Sequence, residues 1–138
     1  MTQLIDPSVH AACANLVSAY NNLVDGGRAS GVVALFADGG EMLVAGLNLS
    51  GESLKAAMAE RERNTDRKTC HVSSNFELVS CDGDRAHGRS VILLYVLSPD
   101  SGALAPSAIL RGEDDFIRGS DGVWRFLRRE GTILAGGV

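Results

Sequence analysis

The sequence contains few cysteines and no excess of positive charge, and each shortage excludes a class of protein. Its three cysteines, Cys13, Cys70 and Cys81, are odd in number and include no C-x-x-C pair. This usage predicts neither a disulfide framework nor a zinc site, and it fits a reducing cytoplasm. The formal net charge is −4, so we expect no basic surface for nucleic acid or for an anionic membrane.

Long apolar runs are missing as well. No window approaches the roughly 18 continuous apolar residues that indicate a membrane-spanning helix. The first residues lack a basic segment followed by an unbroken apolar stretch, so they are not typical of a secretory signal. The chain has 45% hydrophobic and 22% charged residues. Residues 1–138 are predicted to form one cytoplasmic domain, which is large enough to bury a core without disulfides or a structural metal.

Apolar residues at three- and four-residue spacing predict an amphipathic first helix. The stripe runs from Val9 to Val24. Asp6-Pro7 can start this helix, and Asp25-Gly26-Gly27 can end it because glycine accepts the terminating conformation.

Two further helices and a short strand are predicted before residue 64. A short helix covers roughly residues 29 to 37 and ends at Asp38-Gly39-Gly40. A strand from Glu41 to Ala45 follows. Ser50 is the expected N-cap of a third helix over about residues 51 to 63.

The second half of the chain is predicted to be a sheet, because the apolar period changes from about 3.6 to 2 beyond residue 69. Asp82-Gly83-Asp84 is a hairpin signal between two β-rich runs. Long antiparallel strands bend through bulges, and a curved sheet packed on helices encloses a pocket. The predicted strands cover residues 70–80, 85–97, 107–118 and 123–134, with a loop at 98–106.

The order of these elements, together with several short motifs, resembles the SnoaL-like branch of the NTF2-like superfamily. The resemblance covers nearly the whole chain. It implies an α+β, cystatin/NTF2-like cone, in which three N-terminal helices pack on a curved, mainly antiparallel sheet and enclose a pocket. The matching motifs are Tyr20-x-x-x-x-Asp25, Leu35-Phe36-Ala37-Asp38-Gly39, Gly51, His71-x-x-x-Asn75 and Asp121-Gly122-Val123-Trp124-Arg125-Phe126.

The resemblance also implies candidate site residues. The superfamily contains non-enzymes beside dehydratases, a dehydrochlorinase, ketosteroid isomerase and polyketide cyclases. The Asp/His pair of the dehydratases and the dehydrochlorinase falls on Asp25 and His71. The tyrosine of the bile-acid dehydratase falls on Tyr20, and the final-strand arginine of the dehydrochlorinase falls on Arg129. Scytalone dehydratase has a second histidine where this chain has Ser90, so scytalone is not the expected substrate.

These four side chains could perform an elimination or an isomerisation. A histidine such as His71 is suited to proton abstraction near neutral pH, and a carboxylate such as Asp25 can orient it. Tyr20 can donate to a carbonyl or a departing hydroxyl, and Arg129 can hold an anion. Such chemistry requires no metal and no organic cofactor. We therefore expect a lyase or isomerase that acts on a small hydrophobic, cyclic molecule.

Simpler roles stay open for the same residues. Asp25 can be a turn residue, Tyr20 a core tyrosine and His71 a structural histidine. Arg128 and Arg129 point to opposite faces of one strand, so at most one enters the pocket.

The sequence gives weaker evidence for a functional role of three further groups of residues. Asn75 could sit at a bulge, and His87 could lie on a solvated or interface face. One residue of Glu113-Asp114-Asp115 could be an isolated carboxyl in the pocket.

Two other functions also fit the sequence. The chain could be a non-catalytic small-molecule binding protein, or a scaffold that uses the outer face of the sheet. The resemblance implies a homodimer or homotrimer through that sheet under every reading, so self-association does not separate them.

Overall fold

The computed structural model describes residues 4–100 and 104–138, in which helices cover one face of a six-stranded sheet. The strand order is β2-β1-β6-β5-β4-β3, and every neighbouring pair is antiparallel except β1 and β6. Within the described residues, no helix is both long and apolar enough to cross a bilayer. The elements are α1 (Pro7–Asp25), a 3-10 helix (Ala29–Leu35), β1 (Phe36–Val44), β2 (Leu47–Ser50), α2 (Gly51–Arg63), β3 (Lys68–Asp82), β4 (Arg85–Leu97), β5 (Ala108–Arg118) and β6 (Trp124–Gly136).

The first helix begins and ends where its flanking residues predict. The Asp6 carboxylate accepts a 2.8 Å hydrogen bond from the Ser8 backbone N–H, which satisfies one of the free donors of the first turn. Gly26 follows the last helical residue. The predicted stripe is buried against the sheet, so α1 is fixed along its length and Asp25 lies at its carboxyl end.

The prediction for residues 29–45 was wrong in its details. The second helix is a 3-10 helix that ends at Leu35, and the strand begins at Phe36. Gly39 has a φ of +75°, and a Cβ on Gly40 would lie 3.0 Å from the Phe126 carbonyl oxygen. The two glycines therefore form an irregularity within β1 beside β6, where the sequence suggested a helix end.

Strand β2 was not predicted at all. It has four residues and pairs with β1. A strand of four residues is too short for an alternating apolar pattern to be recognised in the sequence.

The third helix and the four long strands agree with the predictions. Helix α2 covers Gly51–Arg63 with Ser50 at its N-cap position, where the Ser53 hydroxyl accepts from the Ser50 N–H at 2.9 Å. The strand ends lie within two residues of those expected. Part of the predicted loop, residues 101–103, lies outside the described residues.

A bulge in β3 bends the sheet. The register of β3 against β4 shifts between Ser74 and Glu77, and Asn75 has a φ of +54°. Asparagine tolerates this left-handed conformation better than most residues. The expected bulge at Asn75 is therefore present, and its side chain is exposed.

An aromatic cluster forms the core beneath α1. Phe116 and Phe126 are fully buried, with ring centroids 5.4 Å apart, and Phe36 lies 5.2 Å from Phe126. Cys13 of α1 is buried against this cluster. Burial raises the pKa of the Cys13 thiol to about 12, so the thiol stays protonated in the core.

The outer face of the sheet carries a charged cluster centred on His87. The His87 Nδ1 lies 2.7 Å from an Asp115 oxygen, and its Nε2 lies 2.6 Å from a Glu113 oxygen. Arg89 lies near the same glutamate. Partly exposed apolar residues, including Val72, continue this face along β3 and β4. The predicted self-association through the sheet stays a prediction.

His87 should make the free energy of unfolding depend on pH. Burial alone lowers the pKa of His87, but hydrogen bonds and charge from Asp115 and Glu113 outweigh it and raise the pKa. A raised pKa means that stabilisation is complete below the unfolded-state value of about 6.5 and is lost as pH rises through the folded-state value. We expect His87→Gln to cost roughly 0.5–1 kcal/mol at pH 5.5 and much less at pH 9.

Urea unfolding at the two pH values checks this. The control is His10→Gln, since His10 is exposed and forms no ion pair with a described residue. An equal loss of stability at both pH values would contradict the conclusion that protonated His87 is stabilised by Asp115 and Glu113.

Candidate active site

The concave face of the sheet and the helices enclose a cavity of about 290 Å³. Residues of both α-helices and of all six strands line it. Its apolar surface includes Val24, Met42, Met58, Ile92, Leu94 and Leu110. Its polar side chains include Tyr20, Asn21, Arg61, Thr69, His71 and Arg129.

Asp25 and His71 are brought together at one wall of this cavity. Asp25 is the last residue of α1, and His71 lies near the start of β3. The His71 Nδ1 is 2.7 Å from Asp25 Oδ1, and the His71 backbone N–H donates to Asp25 Oδ2 at 2.7 Å. Because the carboxylate accepts, Nδ1 carries the hydrogen and Nε2 keeps its lone pair. Both side chains are only 19% exposed.

Thr69 completes the hydrogen bonding of Asp25, and sequence reasoning missed it. Its hydroxyl lies 2.9 Å from Asp25 Oδ1 and accepts a 3.0 Å hydrogen bond from the Arg61 guanidinium. A guanidinium only donates, so the Thr69 hydrogen is directed to Asp25. The available signal was its spacing, since residues two apart on a strand share a face.

Tyr20 lies on the cavity wall and also packs against the core. Its hydroxyl donates to the Met42 sulfur at 3.2 Å, and a thioether is a weak acceptor. Burial raises the pKa of the Tyr20 phenol, although the nearby Arg129 opposes this shift. Tyr20 therefore stays neutral and keeps a proton to donate.

Arg129 is the arginine that faces inward, but Asp114 already binds it. Arg129 Nε lies 2.8 Å and an Nη atom 3.3 Å from the two Asp114 oxygens, and the pair is buried. Its guanidinium also lies 4.5 Å from the centre of the Tyr20 ring. Burial raises the pKa of Asp114, while the charge of Arg129 lowers it and offsets part of that shift. Arg128 lies on the outer face beside Glu41.

The inward member of the acidic run, Asp114, is therefore paired and is no isolated carboxyl. Asp114 accepts two of the five N–H donors of Arg129 and balances its charge, and a role of Arg129 toward a substrate stays a prediction.

Ser90 occupies the position at which scytalone dehydratase has its second histidine. Its hydroxyl oxygen is buried and makes no hydrogen bond with residues 4–100 and 104–138. A Cβ on the opposite Gly112 would lie 2.9 Å from that oxygen. His71 is thus the histidine that the cavity presents.

Sequence comparison gives the family. The SnoaL-like domain profile matches residues 8–130. The chain belongs to the SnoaL-like domain family. No curated protein shows significant sequence similarity to it.

Solved structures with NTF2-like, cystatin-like folds are similar to this SnoaL-like chain. An NTF2-like protein from Novosphingobium aromaticivorans has 23% identity and a TM-score of 0.78, over 93% of this chain and 83% of its own. A candidate scytalone dehydratase from that organism has 23% identity and a TM-score of 0.74, over 93% and 85%. ActVI-ORFA from Streptomyces coelicolor has 18% identity and a TM-score of 0.82, over 96% and 100%. At these identities the likeness shows the fold alone.

A second polar link joins α1 to β3 in this SnoaL-like domain. The buried Asn21 donates to the Ser73 hydroxyl at 2.7 Å. Ser73 lies two residues after His71 on the same strand face. Together with the Asp25 contacts, this bond fixes the end of α1 against the strand that carries His71.

The buried Asp114–Arg129 pair should be far more sensitive to substitution than an exposed pair of the same geometry. Asp114→Asn leaves a buried guanidinium without its charge partner, so we expect a loss of about 3–5 kcal/mol in the free energy of unfolding. Asp121→Asn is the matched control, because Asp121 holds Arg125 through two hydrogen bonds at the surface. That change should destabilise the protein much less, because the pair is exposed to solvent. Urea unfolding of both variants measures the difference. Equal losses would contradict the conclusion that burial makes the Asp114–Arg129 pair costly to break.

Proposed function

We propose that this SnoaL-like protein is a lyase or isomerase that acts on a small hydrophobic, cyclic molecule. The observation that carries the proposal is the 2.7 Å contact between His71 Nδ1 and Asp25 Oδ1 at the wall of an apolar cavity. A carboxylate on one ring nitrogen leaves the other as a base. His71 is the proposed general base, and Asp25 is its positioning partner.

In the proposed elimination, His71 Nε2 removes a proton from a carbon next to the carbon that bears the leaving group. The C–H electrons form the new double bond, and the bond to the departing hydroxyl or halide breaks. Asp25 stabilises the imidazolium that results, since its charge lies beside Nδ1. A departing hydroxyl takes the proton from the His71 imidazolium and leaves as water, which returns His71 to its neutral form. A departing halide leaves as the anion, and the imidazolium then loses its proton to solvent. In an isomerisation, the imidazolium returns its proton to another carbon of the substrate.

Tyr20 is the proposed donor to the departing or carbonyl oxygen. Its hydrogen bond to the Met42 sulfur is weak, so a substrate oxygen can replace that acceptor at little cost. Arg129 lies 4.5 Å from the Tyr20 ring centre and, with Asp114, holds this side of the cavity in place.

A non-catalytic binding protein is the second candidate. It is favoured by the same satisfied contacts, because Arg129 and Tyr20 both have partners within the protein. Under this reading, Asp25 and His71 only orient a ligand.

Substitution of His71 separates the two candidates. With a panel of hydroxylated and halogenated ring compounds, we expect turnover by the wild-type protein and a fall in kcat/KM of about 10²–10⁴-fold for His71→Ala. Asp25→Asn should cause a similar loss, because it removes the charge beside the imidazolium. His10→Ala is the matched control, since it deletes an exposed histidine outside the cavity.

The readouts are product formation and ligand affinity, measured on the same variants. Saturable binding that survives in His71→Ala, with no compound consumed by the wild type, identifies a binding protein. Turnover that His71→Ala leaves unchanged contradicts the catalytic role of the dyad.

A further inference from the structure

Arg61 places a partly free guanidinium beside the Asp25–His71 pair. It lies in the last turn of α2, is half-buried and lines the cavity. One Nη donates to Thr69 at 3.0 Å and the other to the Asn64 carbonyl at 3.3 Å. A guanidinium has five N–H donors, so three are left. Since Thr69 also contacts Asp25, this charge is two hydrogen bonds away from the Asp25 carboxylate.

Arg67 adds a second guanidinium to the same cavity. It precedes β3, is half-buried and lines the cavity. Among residues 4–100 and 104–138, no side chain forms a hydrogen bond or an ion pair with it.

Arg61 and Arg67 combine half-burial in the cavity with no ion pair among the described residues. Arg28, Arg85 and Arg111 also lack an ion pair there, but they are exposed and lie outside the cavity. Six arginines form ion pairs with described carboxylates: Arg63, Arg89, Arg118, Arg125, Arg128 and Arg129. The chain as a whole is acidic, with a net charge of −4, so carboxylates are plentiful. Arg61 and Arg67 line a largely apolar cavity and have no such partner among the described residues. Partly buried charge without a counter-charge is unfavourable until an anion arrives.

We propose that the molecule bound in this cavity carries a carboxylate, which Arg61 and Arg67 hold while the apolar body lies against residues such as Leu94 and Leu110. The planar guanidinium fork matches a carboxylate well. The carboxylate is an anchor at one end of the cavity, and the reacting carbon lies closer to His71. The inference rests on the proposed function in taking this cavity as the substrate site.

The test compares 2-naphthoate with its uncharged amide, 2-naphthamide, by calorimetric titration at low salt. The two probes share one apolar body, so their affinity ratio isolates the charge. We expect the wild type to bind 2-naphthoate at least about tenfold more tightly than the amide. Arg67→Gln should remove most of this preference, because it should lower the affinity for 2-naphthoate much more than the affinity for the amide. Arg67 is the primary variant because, unlike Arg61, it donates no described hydrogen bond to Thr69.

Arg63→Gln is the matched control. It removes the same charge from the exposed end of α2, where Arg63 pairs with Glu60, and it should keep the preference. Arg61→Lys retains a charge and Arg61→Gln does not, so only the second should lower 2-naphthoate affinity strongly. Thermal unfolding of each variant checks that the fold is intact.

Several outcomes overturn the proposal. These are equal affinity for the acid and the amide, no saturable binding of the acid, or a preference that survives in Arg67→Gln and Arg61→Gln. Tighter binding of 2-naphthyl phosphate than of 2-naphthoate would replace the carboxylate with a phosphate ester. The titrations need no turnover, so an anion preference without catalysis contradicts only the proposed function. Turnover of neutral compounds without an anion preference contradicts only this inference.

Discussion

The contact between Asp25 and His71 is the constraint on which the candidate site depends. It joins the carboxyl end of α1 to the first residues of β3, two segments that are 46 positions apart in sequence. Asp25 receives hydrogen bonds from the His71 ring, the His71 backbone and Thr69. A carboxylate with this many donors has little freedom to turn, so the imidazole is held in one orientation. The Asn21–Ser73 bond holds the same two elements one helical turn earlier.

The cavity floor shows how the protein accommodates buried charge. Asp114 and Arg129 form a buried ion pair, and the guanidinium lies 4.5 Å from the centres of both the Tyr20 and the Phe126 rings. Such a pair is costly to break and contributes shape and orientation more than net stability. Arg61 and Arg67 differ because their partners among the described residues are neutral or lacking. The cavity lining thus includes one arginine that is paired with a carboxylate and two that have no carboxylate partner among the described residues.

Much of the fold could be predicted from the sequence, because long elements have strong periodicity. The α1 stripe, the Ser50 start of α2 and the Asp-Gly turn after β3 each depend on local chemistry that the chain displays directly. The error at residues 36–40 has a tertiary cause. Gly39 and Gly40 allow β1 to bulge where it approaches β6, and a glycine pair after a helical pattern looks the same in sequence as a helix end.

The site was only partly predictable, because some of its contacts also depend on the tertiary structure. Asp25, His71 and Tyr20 could be placed by motif spacing and family resemblance. The pairing of Arg129 with Asp114 depends on the register of β5 against β6, which the residues alone do not specify. Thr69 and Arg61 act through a helix-to-strand contact, and neither has a motif. The position of Arg67 in the cavity, without an ion pair among the described residues, likewise depends on the folded structure.

The tautomer of His71 tests the central claim most directly. It can be read from the ¹⁵N chemical shifts and two-bond couplings of its imidazole at pH 8.5, with the signal assigned by its loss in His71→Gln. We expect one tautomer, with the hydrogen on Nδ1 shared with Asp25 and a lone pair on Nε2. In Asp25→Asn, this preference should weaken. A hydrogen on Nε2 in the wild-type protein, or a mixture of tautomers like that of an exposed histidine, would contradict the proposed general base.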